Sequence, residues 1–254
     1  MATQSDTISA AVKTLAMPEE VQEKLARVAG ELMATGVVRA IAVYGGVARG
    51  RYVEGRSDIN VLVILAAADH AALAALRDPM ENAPSSLWLE PMFVTGDELS
   101  RVALVFPVKF LDIAARHITI AGDDAILGRL AVPLTNARLR VEQEFRNLEL
   151  RTRRRLVSVL GDDEETRECL ASLARPFAVE LASLLAVDGF ERPDDDRTAV
   201  IFAQAAGRYG LDAKVLDELA RLRNGEGSGR PLDELAMDVL KAIGAAAAAA
   251  GRGG

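Results

Sequence analysis

Two short apolar runs on either side of a glycine pair, within residues 40–65, most constrain what this chain can fold into. The runs at residues 41–44 and 59–65 are rich in β-branched residues and too short for typical helices, so both are predicted to be β-strands. Gly45 and Gly46 directly follow the first run. Because glycine has no Cβ and tolerates positive φ, a phosphate group can approach the backbone at this turn.

Polar residues stand at the start of the second run. Asp58 and Asn60 are two residues apart, so their side chains are predicted to lie on the same face of a strand. Carboxylate and amide oxygens are suitable ligands for a hard cation such as Mg²⁺. A strand, a glycine turn and a second strand that begins with polar residues together predict a nucleotide and metal site.

This arrangement resembles the nucleotidyltransferase superfamily typified by polymerase β and the aminoglycoside nucleotidyltransferases. The family pattern is an apolar residue, Gly, Gly or Ser, a gap of about ten residues, and then Asp-apolar-Asp/Glu-apolar. The corresponding residues here are Tyr44-Gly45-Gly46 and Asp58-Ile59-Asn60-Val61. One position departs from the pattern, because Asn60 stands where active members have a second carboxylate.

The resemblance implies a nucleotidyltransferase-like fold and chemistry. NMP would be transferred from an NTP to an acceptor hydroxyl, with the triphosphate at Gly45 and Gly46 and with Mg²⁺ held by Asp58 and Asn60. It also implies a third carboxylate from a neighbouring strand, acting as a base or a metal ligand. Glu90, the charged residue within the predicted strand at residues 87–95, is the candidate. The alternative is a solvent-facing glutamate on an edge strand, because the adjacent Pro91 favours an edge or a bulge.

Three polar residues between the glycines and Asp58 are further candidates for nucleotide binding. Arg49 and Arg51 are suited to triphosphate oxygens, which a guanidinium group binds with two parallel hydrogen bonds. The alternative is a solvated, charged loop. Ser57 either binds a phosphate or stabilises the turn through its hydroxyl.

The order of predicted elements divides the chain into two domains. Strands and helices alternate in residues 1–132, and residues 133–254 are predicted to be helical. We therefore expect an α/β (α+β) nucleotidyltransferase-like domain with a mixed sheet, followed by an all-α helical bundle. Residues 1–14 are expected to be partly loose. Pro176 is expected to kink or split its helix.

The composition limits which partners and which cell compartment are expected. A net charge of −7 argues against a general nucleic-acid-binding surface, so a small molecule or a protein is favoured as the acceptor. The cluster at residues 151–155 either touches a nucleotide or tRNA or forms an exposed charged helix face. The single cysteine, Cys169, cannot form an internal disulfide, which fits a cytoplasmic protein. No membrane span is expected, because no uninterrupted apolar stretch reaches about 20 residues.

Three functions are consistent with these residues. The first is a nucleotidyltransferase with an altered metal site. The second is a catalytically inactive module that binds a nucleotide without turning it over, and the third is an interaction module that keeps only the fold. Asn60 is the residue that bears on the choice among these functions. Two metal ions repel each other, and without the carboxylate that Asn60 replaces this repulsion is less compensated.

Overall fold

The structure is a computed structural model that describes residues 3–135, 137–190 and 197–252. The described residues fall into two units, Met1–Val132 and Pro133–Gly254. The first contains a four-stranded mixed sheet with helices, and the second is helical. The expected α+β class, the mixed sheet and the helical C-terminal region are therefore confirmed.

The sheet of the first unit has the strand order β3-β2-β1-β4. Its strands are β1 (Val38–Tyr44), β2 (Ile59–Leu65), β3 (Leu89–Thr95) and β4 (His117–Gly122). β1 is antiparallel to both β2 and β4, whereas β3 is parallel to β2. β3 is an edge strand, as Pro91 predicted, because proline has no N–H to donate to a further strand.

Helices cover both faces of this sheet. They are α1 (Gln4–Val12), α2 (Glu19–Ala34), α3 (His70–Ala75), α4 (Arg77–Glu81), α5 (Leu99–Val105), α6 (Pro107–Ala115) and α7 (Asp124–Gly128). Buried residues of α1 and α2 pack on one face of the sheet, and buried residues of α5, α6 and α7 pack on the other. This two-sided burial explains why β1 and β2 are almost continuously apolar.

The N-terminus corrects one expectation, because α1 lies in a segment that was expected to be partly loose. The Thr3 hydroxyl accepts a hydrogen bond from the Asp6 N–H, and the Asp6 carboxylate accepts one from the Thr3 N–H. This reciprocal capping box begins the helix, and burial of Ile8 and Val12 holds it in place. Residues 1 and 2 lie outside the described residues.

The second unit is built from long helices around aromatic side chains. Its helices are α8 (Ala137–Val159), α9 (Asp163–Val187), α10 (Thr198–Tyr209), α11 (Ala213–Arg223) and α12 (Leu232–Gly251). Phe177 of α9 packs edge-on against Phe145 of α8, with ring centroids 6.2 Å apart, and its centroid lies 5.6 Å from that of Phe202 of α10. These contacts join three helices through one buried side chain.

Helix α9 continues through Pro176, so the expected split does not occur. Proline has no N–H, and the Ser172 carbonyl therefore loses its usual partner within the helix. By length and composition alone α9 is also apolar enough to cross a membrane. Core helices of bundles share that property, and most residues of its apolar segment are buried here.

A buried carboxylate at the end of α9 is hydrogen-bonded, directly or through Arg138, to three other helices of the bundle. Asp188, just after α9, accepts hydrogen bonds from Arg138 of α8 and from the Tyr209 hydroxyl of α10, the latter at 3.0 Å. Arg138 also donates to the carbonyl of Ala250 in α12 at 3.2 Å. Burial raises the pKa of Tyr209, and the neighbouring Asp188 charge raises it further.

Glu180 of α9 is a second polar group within the bundle. Its Oε2 atom is buried and has no hydrogen-bond partner within the described part of the chain. Burial raises the pKa of this carboxyl to about 8, the Glu144 charge adds to the rise, and Arg151 opposes it. The folded protein therefore keeps a proton on Glu180 at neutral pH, whereas the unfolded chain releases it near its ordinary pKa of 4.5.

We expect Glu180 to make the bundle less stable as pH rises. Below about pH 4.5 the carboxyl is protonated in both states, and between about pH 4.5 and 8 the unfolded state alone loses its proton, which favours unfolding. The loss is on the order of 5 kcal/mol at most. Urea unfolding at pH 5, 6, 7 and 8 should show this decline in the free energy of unfolding of wild type, and Glu180→Gln should reduce the decline.

The control is Glu168→Gln, a change on the exposed side of α9. Equal pH slopes for Glu180→Gln and wild type would contradict the assignment of the pH dependence to Glu180.

Candidate functional site

One row of side chains crosses the whole sheet of the first unit. His117 of β4 pairs with Tyr44 of β1, Tyr44 pairs with Asn60 of β2, and Asn60 pairs with Glu90 of β3. Directly opposite residues on neighbouring strands share a face of the sheet. The register therefore brings Asn60 and Glu90 side by side, although 29 intervening residues separate them in the sequence.

The glycine turn adjoins this row at Asn60. Gly45 has a φ of +73°, and a Cβ placed there would lie 3.6 Å from the Asn60 Nδ2 atom. Gly46 has an ordinary φ of −60° and begins a short 3₁₀ turn, Val47–Arg49. Positive φ is strained for residues with a Cβ, so the backbone at Gly45 requires glycine while Gly46 does not.

Helix α6 fixes the turn in place. The Arg49 guanidinium binds both carboxylate oxygens of Asp112, with Nη2–Oδ1 at 2.6 Å and Nη1–Oδ2 at 3.2 Å. Its side chain is only 4% exposed. Arg116 adds a hydrogen bond from Nε to the Ala48 carbonyl at 3.3 Å. Arg49, predicted to touch phosphate, is thus engaged by a carboxylate in this structure.

Tyr44, a member of the row, has charged residues as neighbours. The Lys109 ammonium is 5.8 Å from the centroid of its ring. Burial raises the pKa of Tyr44, and the charges of Asp112 and Glu90 raise it further. Glu90 itself is exposed and Asn60 is half-buried, so a carboxylate and an amide are accessible next to the glycine turn.

Asp58 lies immediately before β2, two residues ahead of Asn60, and is exposed. The next residue, Ile59, donates its N–H to the Trp88 carbonyl at 2.9 Å. Trp88 is 51% exposed and has a φ of +44°, a left-handed conformation that is rare for a bulky side chain. Strained residues of this kind concentrate at functional sites.

The other predicted phosphate ligands are placed differently. The Ser57 hydroxyl accepts a hydrogen bond from the Val53 N–H at 2.9 Å, which is the turn-stabilising role considered from the sequence. Arg51 is half-buried, and its N–H donates to the Gly46 carbonyl at 3.0 Å. Both residues therefore shape the loop between the glycines and Asp58.

The donor set suits one magnesium ion that arrives with its own ligands. Within the described residues, no group of three or more His, Cys, Asp or Glu side chains is arranged to hold a metal. Asp58 and Glu90 supply carboxylates and Asn60 supplies an amide oxygen. Magnesium commonly binds through one or two carboxylates plus substrate phosphates and water, so this set fits a nucleotide-bound ion.

Comparison with known proteins gives no relative on which to rest a function. The sequence matches no protein-family model and no curated protein. Any inference about activity therefore depends on the residues themselves and on the geometry described above.

Sequence reasoning missed several neighbours of the site. Asp112 and Lys109 lie on α6, more than 60 residues after the turn, and no local pattern marks them as its partners. Trp88 falls within the strand predicted at residues 87–95, whereas β3 begins at Leu89, so its left-handed conformation was not expected. Its backbone conformation, which distinguishes it, depends on the pairing of β2 with β3.

The two glycines offer a matched test of this geometry. We expect Gly45→Ala to lower the free energy of unfolding by about 1–2 kcal/mol, because alanine is strained at φ +73°. Gly46→Ala has ordinary backbone angles and open space, with the Arg51 carbonyl 4.0 Å from the added Cβ, so its stability should change by less than about 1 kcal/mol. Urea denaturation measures both, and an equal loss in the two variants would contradict the assigned turn conformation.

Proposed function

We propose that the first unit is a nucleotidyltransferase-like domain that binds an NTP with Mg²⁺ and transfers its NMP group to an acceptor hydroxyl. The observation that carries the proposal is the register that sets Asn60 beside Glu90, next to the glycine turn and two residues from Asp58. Asp58 is the one carboxylate that remains in the motif. Glu90 adds a second carboxylate from the same row, so the site has two carboxylates where the family pattern has three, and two suit one nucleotide-bound ion.

In this proposal each residue has a distinct role. Asp58 and Glu90 would hold a magnesium ion with the amide oxygen of Asn60. When bound, the ion would supply positive charge to neutralise the phosphates and to polarise the phosphorus that is attacked. The backbone at Gly45 and Gly46 accommodates the triphosphate. Trp88, exposed beside the start of β2, offers an aromatic face on which a base can stack.

The transfer itself needs an in-line acceptor and a route for one proton. The acceptor oxygen forms a bond to the α-phosphorus while the bond to the bridging oxygen of the β-phosphate breaks, and pyrophosphate leaves. The acceptor proton passes to solvent water, because Glu90 serves as a metal ligand in this proposal and the site is exposed there. With a net charge of −7, the chain favours a small molecule or a protein as acceptor over a long nucleic acid.

The second candidate is a nucleotide-binding module without turnover, and Asn60 is the observation that favours it. An amide gives the metal an oxygen but no negative charge, so binding one nucleotide-bound ion requires less of the site than a two-metal reaction. The two candidates share the same pocket and differ only in pyrophosphate release.

Calorimetric titration tests the shared pocket directly. ATP, GTP, CTP and UTP are titrated with and without Mg²⁺ into wild type and Asp58→Asn, which removes a charge at constant size. We expect Mg²⁺-dependent binding of at least one nucleotide and a rise in Kd of about tenfold or more in the variant, which is about 1.4 kcal/mol. Asp78→Asn, an exposed carboxylate on α4, is the control and should leave Kd within about twofold.

A pyrophosphate-release assay then separates the two candidates. Magnesium-dependent release with a suitable acceptor supports the transferase, and binding without release supports the module. Absence of binding by all four nucleotides in a folded sample would overturn both, leaving a fold maintained for interaction with a partner.

A further inference from the structure

A surface-open cavity lies between α8 and α9 in the second unit, and its lining residues differ from those assigned to nucleotide binding. Its volume is about 160 Å³. A buried apolar cavity of about 150 Å³ is large enough to hold benzene, so this one has room for a group of that size. Leu148, Leu173 and Pro176 contribute an apolar wall.

One residue that lines the cavity carries an unpartnered hydroxyl. Thr152 of α8 is 2% exposed, and its buried Oγ1 atom has no hydrogen-bond partner among the described residues. Most buried polar side-chain atoms have a partner in the protein or in bound solvent, so an orphaned hydroxyl at a cavity wall points to a bound group. A carboxylate oxygen is a suitable partner, because a hydroxyl can donate to it.

Two arginines give the cavity its charge. Arg151 and Arg155 are one turn apart on α8, so they project from the same side of the helix. Arg155 donates from Nη1 to the Ser172 hydroxyl at 2.8 Å, and Ser172 donates in turn to the Cys169 carbonyl at 2.7 Å. These bonds position one guanidinium group against α9 at the cavity.

The cavity keeps a net positive charge despite acidic residues nearby. Among the described residues, the side chains that line it include no carboxylate. Glu144 and Glu180 interact with one another near Arg151, but Glu180 keeps its proton at neutral pH because burial raises its pKa to about 8. Two arginines therefore face one ionised carboxylate at most among these neighbours. An apolar wall, an orphaned hydroxyl and excess positive charge favour an anion with an apolar body.

We propose that the cavity between α8 and α9 binds a small organic acid, with an apolar group of about benzene size and one carboxylate. The carboxylate pairs with Arg151 and Arg155 and accepts a hydrogen bond from the Thr152 hydroxyl, while the apolar group contacts Leu173 and Pro176. This site is independent of the nucleotide proposal, and neither result depends on the other.

Benzoate is the probe, and neutral benzamide of the same shape is its control. Both are titrated into the full chain by ligand-observed NMR at pH 7. We expect benzoate to bind with a Kd of about 1 mM or tighter, in the range usual for a ligand of this size. Benzamide should bind at least about tenfold more weakly, because it has no charge for the arginines.

Three variants locate the site. Arg155→Gln should weaken benzoate binding at least about fivefold, whereas Arg154→Gln, the same change on an exposed neighbour outside the cavity, should change it by less than about twofold. Thr152→Val should weaken binding while raising the thermal midpoint of the ligand-free chain, since it replaces an unpartnered hydroxyl with a methyl group of similar size.

The opposite results would overturn the proposal. They are no benzoate binding up to about 20 mM, equal affinities for benzoate and benzamide, or equal losses in Arg154→Gln and Arg155→Gln. Circular dichroism of each variant verifies that it is folded, and Thr152→Val keeps the test decisive if Arg155→Gln proves unstable.

Discussion

The bidentate ion pair between Arg49 and Asp112 is the interaction on which the candidate site depends. It holds the turn after β1 against α6, while the buried Val47 and Ala48 anchor the same turn in the core on the opposite side. Removing one partner of a buried pair leaves an uncompensated charge, with a cost of about 3–5 kcal/mol in comparable cases. With the turn fixed in this way, the positive φ of Gly45 brings the backbone beside Asn60. Arg49 therefore acts on the site by positioning the turn, a different role from the phosphate contact expected from the sequence.

The metal site that we propose has fewer negative charges than the family pattern. A neutral amide at Asn60 removes one negative charge from the family pattern, so Asp58 and Glu90 provide two carboxylates where the pattern has three. Whether the outcome is catalysis or binding depends on how well two carboxylates offset repulsion between cations. Tyr44, itself a member of the row, has the Lys109 ammonium near its ring and makes the surroundings partly apolar, which strengthens electrostatic interactions there. Both functions that we propose, a transferase and a nucleotide-binding module, rest on this one set of residues.

Local chemistry was enough to predict the strands β1, β2 and β3, the glycine turn and the helical second unit. The apolar runs of β1 and β2, the glycine pair and Pro91 at the edge carry signals that act within a few residues. The helix α1 was missed although Thr3 and Asp6 form a capping box, because its first residues are polar and its apolar spacing is short. Continuity of α9 through Pro176 could not be read locally, since packing of Phe177 and its neighbours outweighs the missing hydrogen bond. The Arg49–Asp112 pair and the Asn60–Glu90 register are long-range, and no single segment of sequence encodes either one.

Paramagnetic broadening tests the central claim most directly, because it reports where a nucleotide-bound ion lies. Mn²⁺ replaces Mg²⁺ with an NTP, and amide resonances of the ¹⁵N-labelled full chain are followed. Our account predicts that Gly45, Asn60 and Glu90 broaden while Gly36, beyond the other end of β1 and roughly 20 Å or more away, stays sharp. The broadening should require the nucleotide and should be reversed by excess Mg²⁺. Equal broadening at Gly36 and Gly45, or none at Asn60 and Glu90 in the presence of saturating nucleotide, would contradict the proposed site.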